Sequence, residues 1–253
     1  MLLSVKNLSD YRIEATDGSI GRVHCFLFDD HSWVVRYLVV DTGTWLPGRK
    51  VLIRPSALDK PEGQMEVFPV ELTREQVKNS PDIDTEKPVS RQQEIELHKY
   101  YNWAPYWAGN VGPAVAPYAP VAPNLSEQFK KEQPSGTETK GKNDPHLRST
   151  KEVIGYKIHA EEGQIGHVED FIVHEDDWAI RYMVVDTRNW LPGRKVIIPP
   201  DWIKDISWMD SEVLVDVSKE VVKESPEFDP AAPVNREYET RLYDYYGRPK
   251  YWL

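Results

Sequence analysis

A run of eleven residues occurs twice in this chain, and the repetition limits the available folds more than any other feature. Asp41-Thr42-Gly43-Thr44-Trp45-Leu46-Pro47-Gly48-Arg49-Lys50-Val51 returns 145 positions later as Asp186-Thr187-Arg188-Asn189-Trp190-Leu191-Pro192-Gly193-Arg194-Lys195-Val196. At the same offset, without a gap, Tyr11 matches Tyr156, Ile20-Gly21 matches Ile165-Gly166, and Phe26 matches Phe171. Downstream, Ser80-Pro81 matches Ser225-Pro226, Tyr100-Tyr101 matches Tyr245-Tyr246, and Tyr106-Trp107 matches Tyr251-Trp252. The chain therefore holds two copies of a unit of roughly a hundred residues, the usual size of a small domain. Whatever the fold, that length must be able to complete it.

The repeat sets the expected boundaries: a first domain over 1–107, a linker over 108–148 and a second domain over 149–253. The first part of the linker is rich in Pro and Ala, which favours extended polyproline II geometry, and the second part is polar. The longest uncharged run, Asn102 to Leu125, has the length of a membrane span. Its five prolines rule out a lone helix in lipid, so it reads as linker and not as anchor.

Within each copy the pattern is strand first and helix later. Asp17-Gly18 and Glu162-Gly163 mark hairpins, and Trp33–Val40 and Trp178–Val185 are strand-like runs. Pro47-Gly48 and Pro192-Gly193 suit a type II turn, because proline presets the first central φ and glycine accepts the positive second one. Five or six short strands per copy predict a small antiparallel barrel, which removes the sheet edges. Thr73-x-x-Gln76 and Ser90-x-x-Gln93 predict two capped helices after the strands. Apart from Arg36, the strand Val34–Val40 is apolar on both faces, so the face outside the barrel must be covered by the C-terminal helix or by another barrel.

Charge narrows the function. The net charge is −10, and residues 149–253 carry 21 acidic against 13 basic side chains. That half repels phosphate backbones, which argues against sequence-independent nucleic-acid binding. The single cysteine, Cys25, forms no internal disulfide, as in a reducing cytoplasm, and Met-Leu-Leu-Ser-Val-Lys lacks the pattern of a secretory signal.

Several residues carry two readings each. Asp41 and Asp186, with Thr42 and Thr187, could serve as base or metal ligand, or could cap the amides of their own loop. Arg49-Lys50 and Arg194-Lys195 could grip an anion or form the charged rim of a contact surface, or could be two solvated charges. Trp45 and Trp190 are either partner anchors or loop-closing core contacts. His159, His167 and His174 lie among carboxylates. A two-residue turn at Glu162-Gly163 would pair His159 with Gly166 and send His167 to the other face, so no metal site is expected. No phosphate-binding glycine loop, Cys-x-x-Cys pair or nucleophile elbow occurs, so neither enzyme chemistry nor a cofactor is expected.

Trp-x-x-Arg-Tyr-x-Val-Val-Asp-Thr-x-x-Trp-Leu-Pro-Gly-Arg-Lys-Val, preceded by Asp-Gly-x-Ile-Gly, resembles the PRC-barrel family over about 9–72 and again over 154–217. The resemblance implies two tandem small antiparallel β-barrels, each with a helical, aromatic extension. That family shares its barrel with the cytoplasmic part of the photosynthetic reaction-centre H subunit and with a domain of a ribosome-maturation factor. The expected role is a non-catalytic, cytoplasmic protein-interaction module with Trp45, Arg49, Lys50, Trp190, Arg194 and Lys195 facing a partner. Barrel–barrel pairing or a homodimer is expected, with no nucleic acid and no membrane insertion. An accessory of photosynthetic electron transfer and a ribosome-assembly factor are the alternatives the resemblance carries.

Overall fold

The computed structural model describes residues 1–59, 66–84, 88–107, 146–187 and 194–253. The expected linker, apart from His146 to Arg148, lies outside the described residues, as do Trp190, Pro192 and Gly193. The first repeat runs β1 (Leu2–Ser4), α1 (Val5–Leu8), β2 (Arg12–Ala15), β3 (Gly18–Asp29), β4 (Val34–Asp41) and β5 (Lys50–Ile53). A 3-10 turn at Pro55–Ala57 leads to β6 (Val67–Pro69), α2 (Arg74–Lys78) and α3 (Arg91–Tyr101). The second repeat runs β7 (Leu147–Ser149), α4 (Thr150–Val153), β8 (Lys157–Ala160), β9 (Gly163–His174), β10 (Ile180–Asp186) and β11 (Lys195–Ile198). A 3-10 turn at Pro200–Trp202 then leads to β12 (Ile203–Ser207), β13 (Glu212–Val215), α5 (Lys219–Glu224) and α6 (Arg236–Tyr246). The two copies agree element by element, except that β12 has no counterpart among the described residues of the first.

The fold is mainly β with a few short helices, in two sheets. One has the order β5-β4-β3-β2-β6, with β7 on β3, and the other β11-β10-β9-β8-β13-β12, with β1 on β9. Two expectations need correction. The sheets are not wholly antiparallel, because β6 pairs parallel to β2 and β13 parallel to β8. The chain leaves β5 or β11 through a 3-10 turn and crosses to the far side of the sheet before it re-enters. The ladders also stay open, ending on β5 and β6 in one sheet and on β11 and β12 in the other, among the described residues.

The chain divides into two compact units that follow the repeats except in short segments. Unit 1 comprises Met1–Leu8, Ser32–Val34 and Ser149–Leu253, and unit 2 comprises Ser9–His31 and Val35–Arg148. The reason lies in the lengths of the strands. In unit 1, β9 has twelve residues, and β8 covers its edge only from Gly163 to His167. On the same edge Gly155 and Tyr156 bond the backbone of Val168, and β1 covers the far end, pairing Leu2 with His174, Leu3 with Val173 and Ser4 with Ile172. Backbone groups left bare there would be costly and would invite foreign strands. In unit 2, β7 pairs with β3 in the same manner. Each unit is thus finished by a strand that precedes the other repeat.

In the first repeat α3 covers the outer face of β4. Tyr37, Val39 and Leu52 share a buried cluster with Ile83, Val89, Leu97 of α3 and Leu147 of β7. Both helix starts carry their expected capping boxes, Thr73 with Gln76 and Ser90 with Gln93. In each repeat one glycine answers a close approach. A Cβ on Gly21 would meet the Asp41 carbonyl oxygen at 2.0 Å, and one on Gly166 would meet that of Asp186 at 2.2 Å.

Candidate functional site

The loop from β4 to β5 is two successive turns. Trp45 N–H donates to Thr42 O at 3.2 Å and Arg49 N–H donates to Leu46 O at 3.0 Å. Gly43 has φ +57° and Gly48 has φ +76°, so Pro47-Gly48 makes the expected turn. Asp41 accepts from the Gly43 amide at 2.8 Å, which is the loop-capping reading of that carboxylate. The buried Thr42 hydroxyl lies 2.8 Å from Leu46 O and 2.7 Å from Arg49 O and closes the loop's base. Thr187 does the same towards Arg194 O at 2.7 Å. Asp186, unlike Asp41, is buried, with His167 Nε2 3.9 Å away.

The loop arginines serve the chain itself. Arg49 donates to Lys78 O at 2.5 Å and Ser80 O at 2.6 Å, satisfying carbonyls at the end of α2 that have no helical partner. Arg194 donates to Lys223 O and Ser225 O at the end of α5. Lys195 pairs with Glu169 on β9 at 2.6 Å. No sequence signal distinguished these arginines from solvated ones, since the carbonyls lie about thirty residues away.

Trp45 is half-buried and stands beside a cleft of about 530 Å³ in unit 2. Arg12, Arg22, His24, Asp41 and Gly43 share its lining. The Arg74 guanidinium sits 4.6 Å from the Trp45 ring centroid and holds that ring from one side. Arg12 and Arg22 are exposed, and Arg22 donates to Asp10 O at 2.9 Å. At the equivalent positions unit 1 has Lys157, His167 and, for His24, Glu169, so a matching basic cleft is not written into the second repeat.

A buried polar cluster lies behind α3, and sequence reasoning missed it. Glu94 is fully buried and accepts from Tyr106 at 2.6 Å and Tyr37 at 3.1 Å. Arg91 lies 2.8 Å and His146 3.0 Å from its other oxygen. The second repeat rebuilds it on Glu239, which accepts from Tyr182 and Tyr251, both at 2.7 Å, and pairs with Arg236 at 3.0 Å. Burial, then the Glu94 charge, pushes the Tyr37 pKa up. His98, fully buried with Nε2 2.7 Å from the Tyr37 hydroxyl, is pushed down to about 3 by burial and then by Arg54. The repeat of Tyr37, Arg91, Glu94 and Tyr106 at the common offset was the available signal.

The three histidines of the second repeat do not converge. The hairpin turn falls at Glu161-Glu162, between the paired Ala160 and Gly163, and not at Glu162-Gly163, so His159 lies opposite Gln164 instead of Gly166; a bulge follows, and Ile158 takes the place opposite Gly166. His159 lies by Glu212, His167 by Asp186, and His174 by Asp176 and Asp177. No helix among the described residues is long and apolar enough to cross a membrane.

Residues 146–222 match the PRC-barrel domain. The matched segment holds β8 to β13 entire, with β7, α4 and the start of α5. No curated protein compared with the chain matches it. A PRC-barrel domain is a generic module, hosting unrelated roles on one framework, so the match fixes a fold and leaves the role to the site.

Proposed function

We propose that this protein is a non-catalytic interaction module made of two PRC-type repeats, and that the Trp45 cleft of unit 2 is its contact with a protein partner. The first repeat is read as PRC-type because its elements follow those of the matched repeat in order and register: β2 with β3, β4 with β5 and β2 with β6 repeat the pairings of β8 to β13. One observation carries the contact reading. Trp45 is held half-exposed over a cleft by a loop that Thr42 and Arg49 close without using the indole. A pre-set aromatic of this kind lowers the ordering cost of binding and is the residue type most enriched at interface hot spots. The side chains with chemical potential are otherwise engaged: Asp41 caps its loop and His98 is buried against Tyr37.

Trp45→Ala tests the reading. The variant should keep its folding stability within about 1 kcal/mol, as a residue outside the core does. It should also lose at least tenfold in affinity, about 1.4 kcal/mol, for partners recovered by cross-linking from the native host. A loss of several kcal/mol in stability would make Trp45 a core closure and end the proposal.

A further inference from the structure

We propose that Met1–Leu8 is a donor segment which unit 1 also accepts from a second copy of this chain, so that the protein dimerises by swapping it. The acceptor is the outer half of the β9 edge, which β8 is too short to reach. The donor meets it in three ways. Leu2, Leu3 and Ser4 complete the ladder, and Val5 and Leu8 are 1% and 2% exposed. Ser4 Oγ donates to Asp170 at 2.5 Å, Lys6 N–H donates to the same carboxylate at 2.9 Å, and Lys6 Nζ pairs with Glu169 at 3.5 Å. Glu175 N–H donates to Met1 O at 2.9 Å beyond the end of the ladder.

All of these partners lie between Glu169 and Glu175. The donor is tied to its own repeat through the Leu8–Ser9 bond, which opens into Asp10 at φ +70°. An acceptor that reads only the donor's eight residues cannot tell which copy supplies them. Exchange of an identical element between protomers needs no new contact, which makes it a low-cost route to a dimer. A second copy also fits better than an unrelated strand. The site asks for a serine against Asp170, a lysine against Glu169 and apolar residues at the positions of Val5 and Leu8, all of which this chain carries.

The test is a full-length Leu3→Cys, Val173→Cys variant with Cys25→Ala, refolded at micromolar and at near-millimolar concentration and then oxidised. The dilute sample should give monomers with an intrachain disulfide, since Leu3 faces Val173. In the concentrated sample the disulfide-linked dimer fraction should rise with concentration, and co-refolding with a tagged copy should place both forms in one dimer. Monomers alone in the concentrated sample would overturn the proposal, as would dimers lacking the disulfide. Absence of the disulfide from the dilute sample would overturn the donor assignment itself.

Discussion

At the scale of single residues, His98 gives unit 2 a pH dependence that unit 1 lacks. Burial lowers its pKa from 6.5 to about 3. Between those values the unfolded chain holds a proton that the folded unit refuses, so this group's contribution to stability falls as pH drops from about 6.5 towards 3. The second repeat carries Tyr243 at this position, which does not titrate in that range. His98→Phe should therefore be somewhat less stable than the parent near neutrality, for want of the Tyr37 hydrogen bond. Between pH 7 and pH 4 the difference should shift in its favour by about 3 kcal/mol, making it the more stable form at pH 4, as read by denaturant titration. Local features of this scale were legible in the sequence where their cause is local, as with the capping boxes and the Pro47-Gly48 turn. Glu94 was not, because its hydrogen-bond partner Tyr37 stands 57 positions away.

At the scale of elements, the short strands β1 and β7 decide how the sheets are finished. Asp170 is the anchor for β1, and burial raises its pKa against the pull of Ser4 and the Lys6 amide. The folded unit then binds this proton more tightly than the unfolded chain does. The contribution is most favourable at low pH and declines as pH rises from the ordinary carboxylate range through the raised value. Asp170→Asn removes that decline, so its stability relative to the parent should improve between pH 4 and pH 7 when both are unfolded in urea. A flat difference would mean that Asp170 titrates normally. A different element carries a purely steric requirement. Gly166→Ala should destabilise unit 1 by several kcal/mol, since the Asp186 carbonyl must move from a 2.2 Å contact, and thermal melts would show it. Hairpins and strands were legible from alternation and turn residues. The parallel entry of β6 and β13 was not, because nothing in a three- or four-residue strand records its direction.

At the scale of the whole molecule, the repeat made the pair of similar sheets legible before any coordinates. It could not show which sheet each leading strand joins, for a reason built into repetition. β3 and β9 present alike edges, so Leu2–Ser4 satisfies the alternation of either, and Asp170 and Glu169, where the first repeat has Cys25 and His24, mark the difference. This topology has a consequence for synthesis on the ribosome. Ser4 leaves well before its partner Asp170, which follows 166 residues behind. At about 5–20 residues per second the segment waits roughly 8–30 s with Val5 and Leu8 uncovered. The second repeat, in turn, has most of its own sheet in hand as it emerges, and finds its last strand already made. The segment Met1–Leu8 is therefore translated ahead of the strand it completes and is among the last parts of unit 1 to find its place.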